Sequence, residues 1–526
     1  MPTNATTSSQ QPQKLTELQP NRRSPEKLTI AKGGFSANIS KLHEEIRALY
    51  VEDDVPWIIG YSGGKDSTAT AQLIWDAIAE LPEVQRKKPV YVITTDTLVE
   101  NPIVASWVRA SLKAMGEAAR SNNMPFEPQL LVPEVAESFW VNLIGKGYPA
   151  PRPKFRWCTE RLKIRPSNRF ISSVVTTRGE AILCIGARRS ESTARARVMK
   201  NAAKYRARDR LSPSQTLPGC MIYTPVEQWT SKDIWFYLEK SKNPWGASNK
   251  ELKALYADAS EDGECPVVVD DSTPSCGNSR FGCWVCTLVE EDKSMTAMIR
   301  NDIDKEWMLP LLELRNALDF RSGAAAGKHS DHHLRDFRRM TGHVHTMADG
   351  TPVPGPYTQE ARQDWLKRLL EAQTYVQQHA PPDVPEIELI SIAELEEIRR
   401  IWVYEKHELE DRLPAIYESE TGKPYPGAEL DDDISFGPKE LDLVAEVCGD
   451  DRIHYELVRE LLSVTAQQRK SGRRAKLYER LDSTFKRHFY ESKEDAVARA
   501  TARKAAIQKA ERTGPSFAGS SVEAAE

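Results

Sequence analysis

Six consecutive residues, Ser62-Gly63-Gly64-Lys65-Asp66-Ser67, constrain the fold of this chain more than any others. An apolar run, Pro56 to Tyr61, leads into them, and an Ala-rich amphipathic stretch, Thr68 to Ala79, leads out. That order predicts strand, glycine turn, helix. The glycines permit a tight turn and let backbone N–H groups approach a ligand. The helix beyond them starts with unpaired N–H donors and the positive end of its dipole. Ser62 and Ser67 add hydroxyls, and Lys65 adds a point charge. The expected product is an anion cradle suited to nucleotide phosphates. It is not a Walker A loop, because no Gly-Lys pair in the chain is followed by Ser or Thr.

The surrounding pattern sets the fold class. Ser36 to Glu52 reads as a helix, with Ile39, Leu42, Ile46 and Leu49 at helical spacing. Further strands are expected at Val90–Thr94, Gln129–Val132 and Ala181–Gly186, with a helix over Asn101–Arg120. Strands alternating with helices predict an α/β fold with a doubly wound, mostly parallel sheet. Ligands of such sheets sit at the carboxyl ends of the strands. That rule brings the glycine loop, Asp96 and Gly186-Ala187-Arg188-Arg189 to one edge.

A chain of 526 residues has room for roughly two or three domains. Residues 1–35 read as a disordered polar segment, 36–290 as the nucleotide-binding domain with a loop-rich, cysteine-rich end, and 291–496 as a mainly helical region. Residues 497–526 read as a flexible tail. The net charge of −4 does not by itself predict a nucleic-acid binder. Two local clusters do offer basic surface: Lys328 to Arg339, and Arg469 to Lys476 followed by Lys486-Arg487-His488. Nearby acidic residues leave open that each is a solvated helix face. The spacing of the five histidines from His329 to His345 fits no standard zinc ligand set. The N-terminus lacks the apolar core of a signal peptide, and no apolar run is long enough to span a bilayer, so a cytoplasmic location without membrane partners is expected. Eight cysteines in such a chain point to metal or redox chemistry rather than disulfides. Cys276, Cys283 and Cys286 form a compact trio able to wrap one soft metal centre, with a fourth ligand from elsewhere. Cys184 is expected in the core, Cys220 in a loop and Cys448 at a helix end.

The loop Ser62–Ser67 is similar to the signature of the PP-loop ATP pyrophosphatases, which break ATP between its α- and β-phosphates. Arg156-Trp157-Cys158-Thr159, then Arg188-Arg189-Ser190-Glu191-Ser192, then Pro225–Thr230 with Asp233, resemble the phosphoadenosine phosphosulfate (PAPS) reductase branch over about residues 55–290. The resemblance implies ATP over Ser62, Gly63, Gly64, Lys65, Asp66 and Ser67, with Mg²⁺ beside Asp66. It places Asp96 near the nucleoside, and Arg188, Arg189 and Glu191 near the phosphates. Lys65, Asp66, Arg188 and Arg189 become the catalytic candidates, since forked guanidinium donors match phosphate oxygens. It also implies a [4Fe–4S] cluster on Cys158, Cys276, Cys283 and Cys286. A structural zinc on the same four is the competing expectation, and Cys265 is the rival fourth ligand.

Within that branch, the Arg-Trp-Cys-Thr segment, the run Cys276–Cys286 and the helical C-terminus with Asp336-Phe337-Arg338-Arg339-Met340 resemble the DndC family, the sulfurtransferase component of bacterial DNA phosphorothioation. This implies DNA as substrate, a cysteine desulfurase as sulfur donor, and other components of the phosphorothioation complex as partners. Thiol-dependent sulfonucleotide reductases of the branch carry a C-terminal Glu-Cys-Gly-x-His tail, and no cysteine follows Cys448 here. A reductase is therefore the weaker expectation. RNA thiolation by a PP-loop enzyme and a purely ATP- and DNA-binding assembly role also compete with DNA phosphorothioation.

Overall fold

The computed structural model describes residues 30, 34–206, 208, 210–260, 281–320, 330–382, 387–429, 438–468, 475–488 and 490–513. Six strands form one sheet: β1 (Trp57–Gly60), β2 (Val90–Thr95), β3 (Phe126–Leu131), β4 (Ala181–Ile185), β5 (Ser212–Pro213) and β6 (Cys220–Tyr223). Their order is β3-β2-β1-β4-β6-β5, and every pairing is parallel except that of β5 with β6. The doubly wound, mostly parallel sheet expected from the sequence is therefore present. The chain runs outward from β1 through β2 to β3, then returns to β4 on the other side of β1. This reversal creates a switch point between β1 and β4, where open α/β sheets bind ligands.

The strands are apolar because both sheet faces are covered. Trp57 and Ile59 of β1 enter the larger core with α1 (Phe35–Val51), α2 (Lys65–Ala79) and α3 (Pro102–Ser121). Ile58 turns to the other face, where α4 (Arg165–Arg178) brings Ile171 and Val174. Helix α2 is the central one. It packs on α1 and on α6 (Ser231–Lys240), and nearly all of its side chains are buried. The buried amide of its Gln72 is satisfied by Asn249 at 2.8 Å, at the start of α7 (Asn249–Asp258).

Two strand readings differ from expectation. β3 starts at Phe126 rather than Gln129 and contains Pro128. Proline is tolerated there because β3 is an edge strand. Cys220 lies in β6 and not in a loop. Four residues behind the Pro218-Gly219 turn are too few to show a period.

The larger core continues from the sheet into the helices beyond residue 290. These are α8 (Lys293–Asn301), α9 (Leu309–Leu318), α10 (Gln359–His379), α11 (Ile392–Arg400) and α12 (Leu413–Thr421). The join is made by residues 135–145. The Trp140 indole donates to Leu389 O, and the Trp402 indole to Ile144 O, each at 2.9 Å. Both rings are almost completely buried, so these bonds spare each indole a desolvation cost of about 1–3 kcal/mol. A second tie pairs Arg152 with the fully buried Asp331 at 2.5 Å.

The last helices are α13 (Pro438–Cys448), α14 (Arg452–Gln468), α15 (Ala475–His488) and α16 (Lys493–Thr513). Three stretches of the region expected to be mainly helical are interrupted. Asp302 caps a short 3₁₀ turn between α8 and α9, and Gly449 with positive φ separates α13 from α14. The third, Ile392–Leu409, ends in a π turn at Ile401–Glu405. Among the described residues, no helix is long and apolar enough to cross a membrane.

Candidate active site

The glycine loop follows β1 and opens α2 as the sequence predicts. Gly63 has φ +70°, and a Cβ there would lie 2.4 Å from Val108. The Trp107 indole donates to Gly63 O at 3.1 Å and fixes the turn from outside. Inside it, Ser67 Oγ bonds to Gly64 O at 3.0 Å and accepts from Ser62 N at 3.1 Å. Ser62 Oγ lies 3.1 Å from Ser67 Oγ. The two serines therefore brace the loop from within.

Arg188 enters from the far side of the switch point. It is 5% exposed, its Nε donates to Asp66 Oδ1 at 2.5 Å, and its Nη1 donates to Ser190 Oγ at 2.9 Å. Ser190 Oγ is anchored in turn on Trp229 O at 2.9 Å. Lys65 Nζ stands 3.5 Å from the other oxygen of Asp66. The approach is close because residue 186 is glycine: a Cβ there would lie 2.6 Å from Asp66 O. Lys65, Asp66 and Arg188 thus form one charged group at the mouth of the loop. Arg189 is directed elsewhere. Its Nε donates to Glu227 Oε1 at 2.6 Å, and Arg206 binds the second oxygen of the same carboxylate at 3.2 Å. Glu191 faces outward and pairs with Arg195 at 3.4 Å.

Beside the loop lies a cavity of about 810 Å³, roofed by α3 and α4 and lined by Ser62, Asp96, Lys163 and Ser167. Its size falls in the range of small-molecule sites. Asp96, just past the end of β2, is buried and held by Arg109 at 2.7 Å and by the Leu98 amide at 2.9 Å.

Three of the predicted sulfur ligands lie near Glu100 or Lys163 of the cavity wall, without lining the cavity themselves. Cys283 forms a bridge with Glu100, its Sγ lies 3.3 Å from Thr97 Oγ1, and it donates to Glu100 Oε1 at 3.7 Å. Cys286 follows one turn later, its amide bonded to Cys283 O at 3.0 Å. Cys158 sits at the start of the π turn before α4, near enough to feel the charge of Cys286. Burial pushes the Cys283 thiol up to about 12, helped by Glu100, and burial also raises Cys158. Burial works against the Lys163 ammonium, but Cys283 and Glu100 outweigh it and hold its proton above the usual lysine range. Cys276 and Cys265 lie outside the described residues. Among the described residues, no three His, Cys, Asp or Glu side chains form a group that would hold a single metal ion.

Sequence reasoning missed Tyr256. Its hydroxyl accepts from Lys65 N at 3.3 Å, and its ring lies 5.0 Å from Lys65 Nζ. Burial raises its phenol well above the ordinary tyrosine range. Glu100, Thr97, Trp107 and Arg109 were missed too. Each is a single residue of ordinary type, and only the fold brings it to the site.

Residues 56–288 match the model of the phosphoadenosine phosphosulfate reductase domain, so this part of the chain is a PAPS reductase-like domain. An uncharacterised protein of Methanocaldococcus jannaschii is 24% identical over 262 residues, covering 50% of this chain. The match spans 42% of that relative's length. Among solved structures, the PAPS reductase of Candida auris in its phosphate complex aligns over 41% of this chain and 90% of its own, at 16% identity and a TM-score of 0.26. The U34-tRNA thiolase of Methanococcus maripaludis with its [4Fe-4S] cluster aligns over 54% and 80%, at 14% identity and a TM-score of 0.26.

Proposed function

We propose that the chain is a cytoplasmic, ATP-dependent sulfurtransferase that forms AMP and pyrophosphate and adds sulfur to a DNA backbone phosphate. The observation that carries this reading is the Lys65–Asp66–Arg188 group at the mouth of the glycine loop, beside a cavity whose wall residue Glu100 contacts Cys283. The loop N–H groups and Lys65 would receive the ATP phosphates. A non-bridging oxygen of the DNA phosphate attacks the α-phosphorus, and the bond to pyrophosphate breaks. Lys65 and Arg188 face the charge that develops on the leaving group. Sulfur at the oxidation level of sulfide then bonds to the DNA phosphorus, and AMP leaves with the oxygen that was adenylated. Arg189, already paired with Glu227, would act by holding the strand-end loop that carries Arg188.

Asp66 would hold Mg²⁺, which neutralises phosphate charge when bound. Cys158, Cys283 and Cys286, with Cys276 as the fourth ligand, would hold a [4Fe–4S] cluster, which would supply one-electron redox chemistry beside the site when bound. A cysteine desulfurase, a thiol reductant that brings its persulfide sulfur to the sulfide level by two-electron reduction, and the other phosphorothioation components are the partners this reading requires.

The test is release of pyrophosphate and AMP from α-labelled ATP by anaerobically purified protein, with and without DNA. Release that Lys65→Ala abolishes and DNA stimulates is the expected result. ADP and phosphate as products would overturn the assignment. Stimulation by tRNA instead of DNA would transfer the reading to RNA thiolation.

A further inference from the structure

The described ends of the two basic clusters, Arg338-Arg339 and Lys486-Arg487-His488, about 150 positions apart, meet at one place in the fold. Arg338 Nη1 lies 3.2 Å from His488 Nδ1. A Cβ on Gly342 would lie 2.5 Å from the Arg487 side chain, so glycine is needed for the two segments to touch. Between them, α10, α14 and the turn after the π segment enclose a second cavity of about 460 Å³. Nine arginines and lysines line it against five carboxylates. Much of this charge is internally paired: Arg338 with Asp336 and Glu456, Arg362 with Glu408, and Arg487 with Glu460. These pairs alone make a structural ion network.

What the pairs leave over is positive. The Lys406 ammonium makes no hydrogen bond and no ion pair among the described residues, although the residue is partly buried on the cavity wall. Desolvation, with Arg362 adding to it, pushes its ammonium down to about 8. Arg362 is 3% exposed, and its Nη1 has no hydrogen-bond partner. The Nε atoms of Arg459 and Arg487 also lack partners. One buried carboxylate oxygen, on Glu408, shares that condition. These buried atoms have almost no accessible surface, so the cations that a ligand in the cavity could meet include Lys406 and Arg339 rather than the buried arginine nitrogens. Arg339 stands exposed at the opening, with one nitrogen on Pro354 O at 2.8 Å.

We propose that this cavity is a second anion site, distinct from the glycine loop, that takes a phosphate group between Lys406 and Arg339. A forked guanidinium beside a lysine point charge matches a tetrahedral oxyanion in geometry and charge. The phosphate has two possible sources, a small phosphorylated molecule or the backbone of DNA. The inference does not depend on chemistry at Lys65.

The test is calorimetric titration of the full chain with inorganic phosphate and with a short duplex DNA, at fixed ionic strength. Lys406→Met and Arg339→Ala are compared with wild type. Lys406→Met removes a charge that has no partner and is expected to leave the thermal midpoint unchanged or higher. Arg339→Ala changes an exposed side chain. At least a tenfold loss of phosphate affinity in both variants is expected. If duplex affinity falls as well, or alone, the source is the DNA backbone. If only phosphate affinity falls, the source is a small molecule. Unchanged affinity for both probes in both variants overturns the proposal. Pyrophosphate release from ATP, measured in parallel without DNA, reports on the glycine loop separately, so failure of one reading is not mistaken for failure of the other.

Discussion

Arg188 Nε lies 2.5 Å from Asp66 Oδ1, so residues 122 positions apart close the switch point of the sheet with one charge-assisted bond. The bond joins the loop after β4 to the first turn of α2. Its neighbour Arg189 spends its guanidinium on Glu227. The two arginines, equal in sequence, are unequal in the fold.

Exchanging each for lysine separates the two roles. Lysine keeps the charge at 188 but cannot serve Asp66 and Ser190 together through one fork. Arg188→Lys is expected to lower pyrophosphate release about 100-fold, equivalent to roughly 3 kcal/mol of lost transition-state stabilisation. Arg189→Lys should lose less than about tenfold, because its partner lies to the side of the loop. Steady-state rates of pyrophosphate release decide between them, and the reverse order would show that Arg189 reaches the phosphates.

Gly186→Ala tests the close approach itself. The new Cβ would lie 2.6 Å from Asp66 O, 2.7 Å from Asp66 C and 3.0 Å from Ser67 N, all backbone atoms that cannot rotate away. Either the loop after β4 or the start of α2 must move. We expect a loss of about 1–3 kcal/mol of stability, the usual range for overpacking. ATP affinity should fall as well, whereas Gly246→Ala, where a Cβ would meet open space but φ is +84°, should lower stability alone. Denaturant midpoints and equilibrium ATP binding measure the two effects.

How far the sequence revealed this site follows from what each part depends on. The strand–glycine–helix order and the apolar strands were legible because local chain geometry and two-sided burial write them into consecutive residues. Asp96 and Arg188 were legible because the strand-end rule needs only element order. The commitment of Arg189 to Glu227 was not, since it depends on a turn 38 residues later. Tyr256 was invisible for the same reason, its hydroxyl meeting Lys65 N across 191 positions. The meeting of the described ends of the two basic clusters is likewise a product of helix packing, which leaves no local mark.

The proposed ligand set predicts a selective response to loss of sulfur. Cys283→Ser and Cys158→Ser are each expected to lower bound iron, after anaerobic reconstitution, to well under half of the wild-type content per chain. Cys184 is completely buried in β4 and outside that set. Cys184→Ala should therefore keep the wild-type iron content while losing some stability. Iron and sulfide analysis with the visible absorption spectrum reads the outcome. Equal iron in all three variants would remove the proposed ligand set.

Asp76 lies on α2, the helix that the glycine loop opens. Burial pushes its carboxyl up to about 6, while His43 and a bond from Tyr237 at 3.5 Å act in the opposite direction. In the unfolded chain it titrates near about 4. Below about pH 4 the group is protonated in both states and costs nothing. Between about pH 4 and 6 the unfolded chain releases the proton and the folded one keeps it, so this group's contribution to stability falls as pH rises. Above about pH 6 the loss is complete, and for a partly buried group it amounts to about 1–2 kcal/mol. Asp76→Asn should therefore be more stable than wild type by that amount at about pH 8 and equal to it at about pH 4. The difference between the two proteins is the quantity to measure, because Glu460 works the other way. Burial opposes its ionisation, but His488, Thr484 and Arg487 outweigh it and hold the carboxyl down at about 2. Urea unfolding of both proteins at about pH 4, 6 and 8 gives that difference, and a gap that does not change with pH would mean that Asp76 titrates normally in the fold.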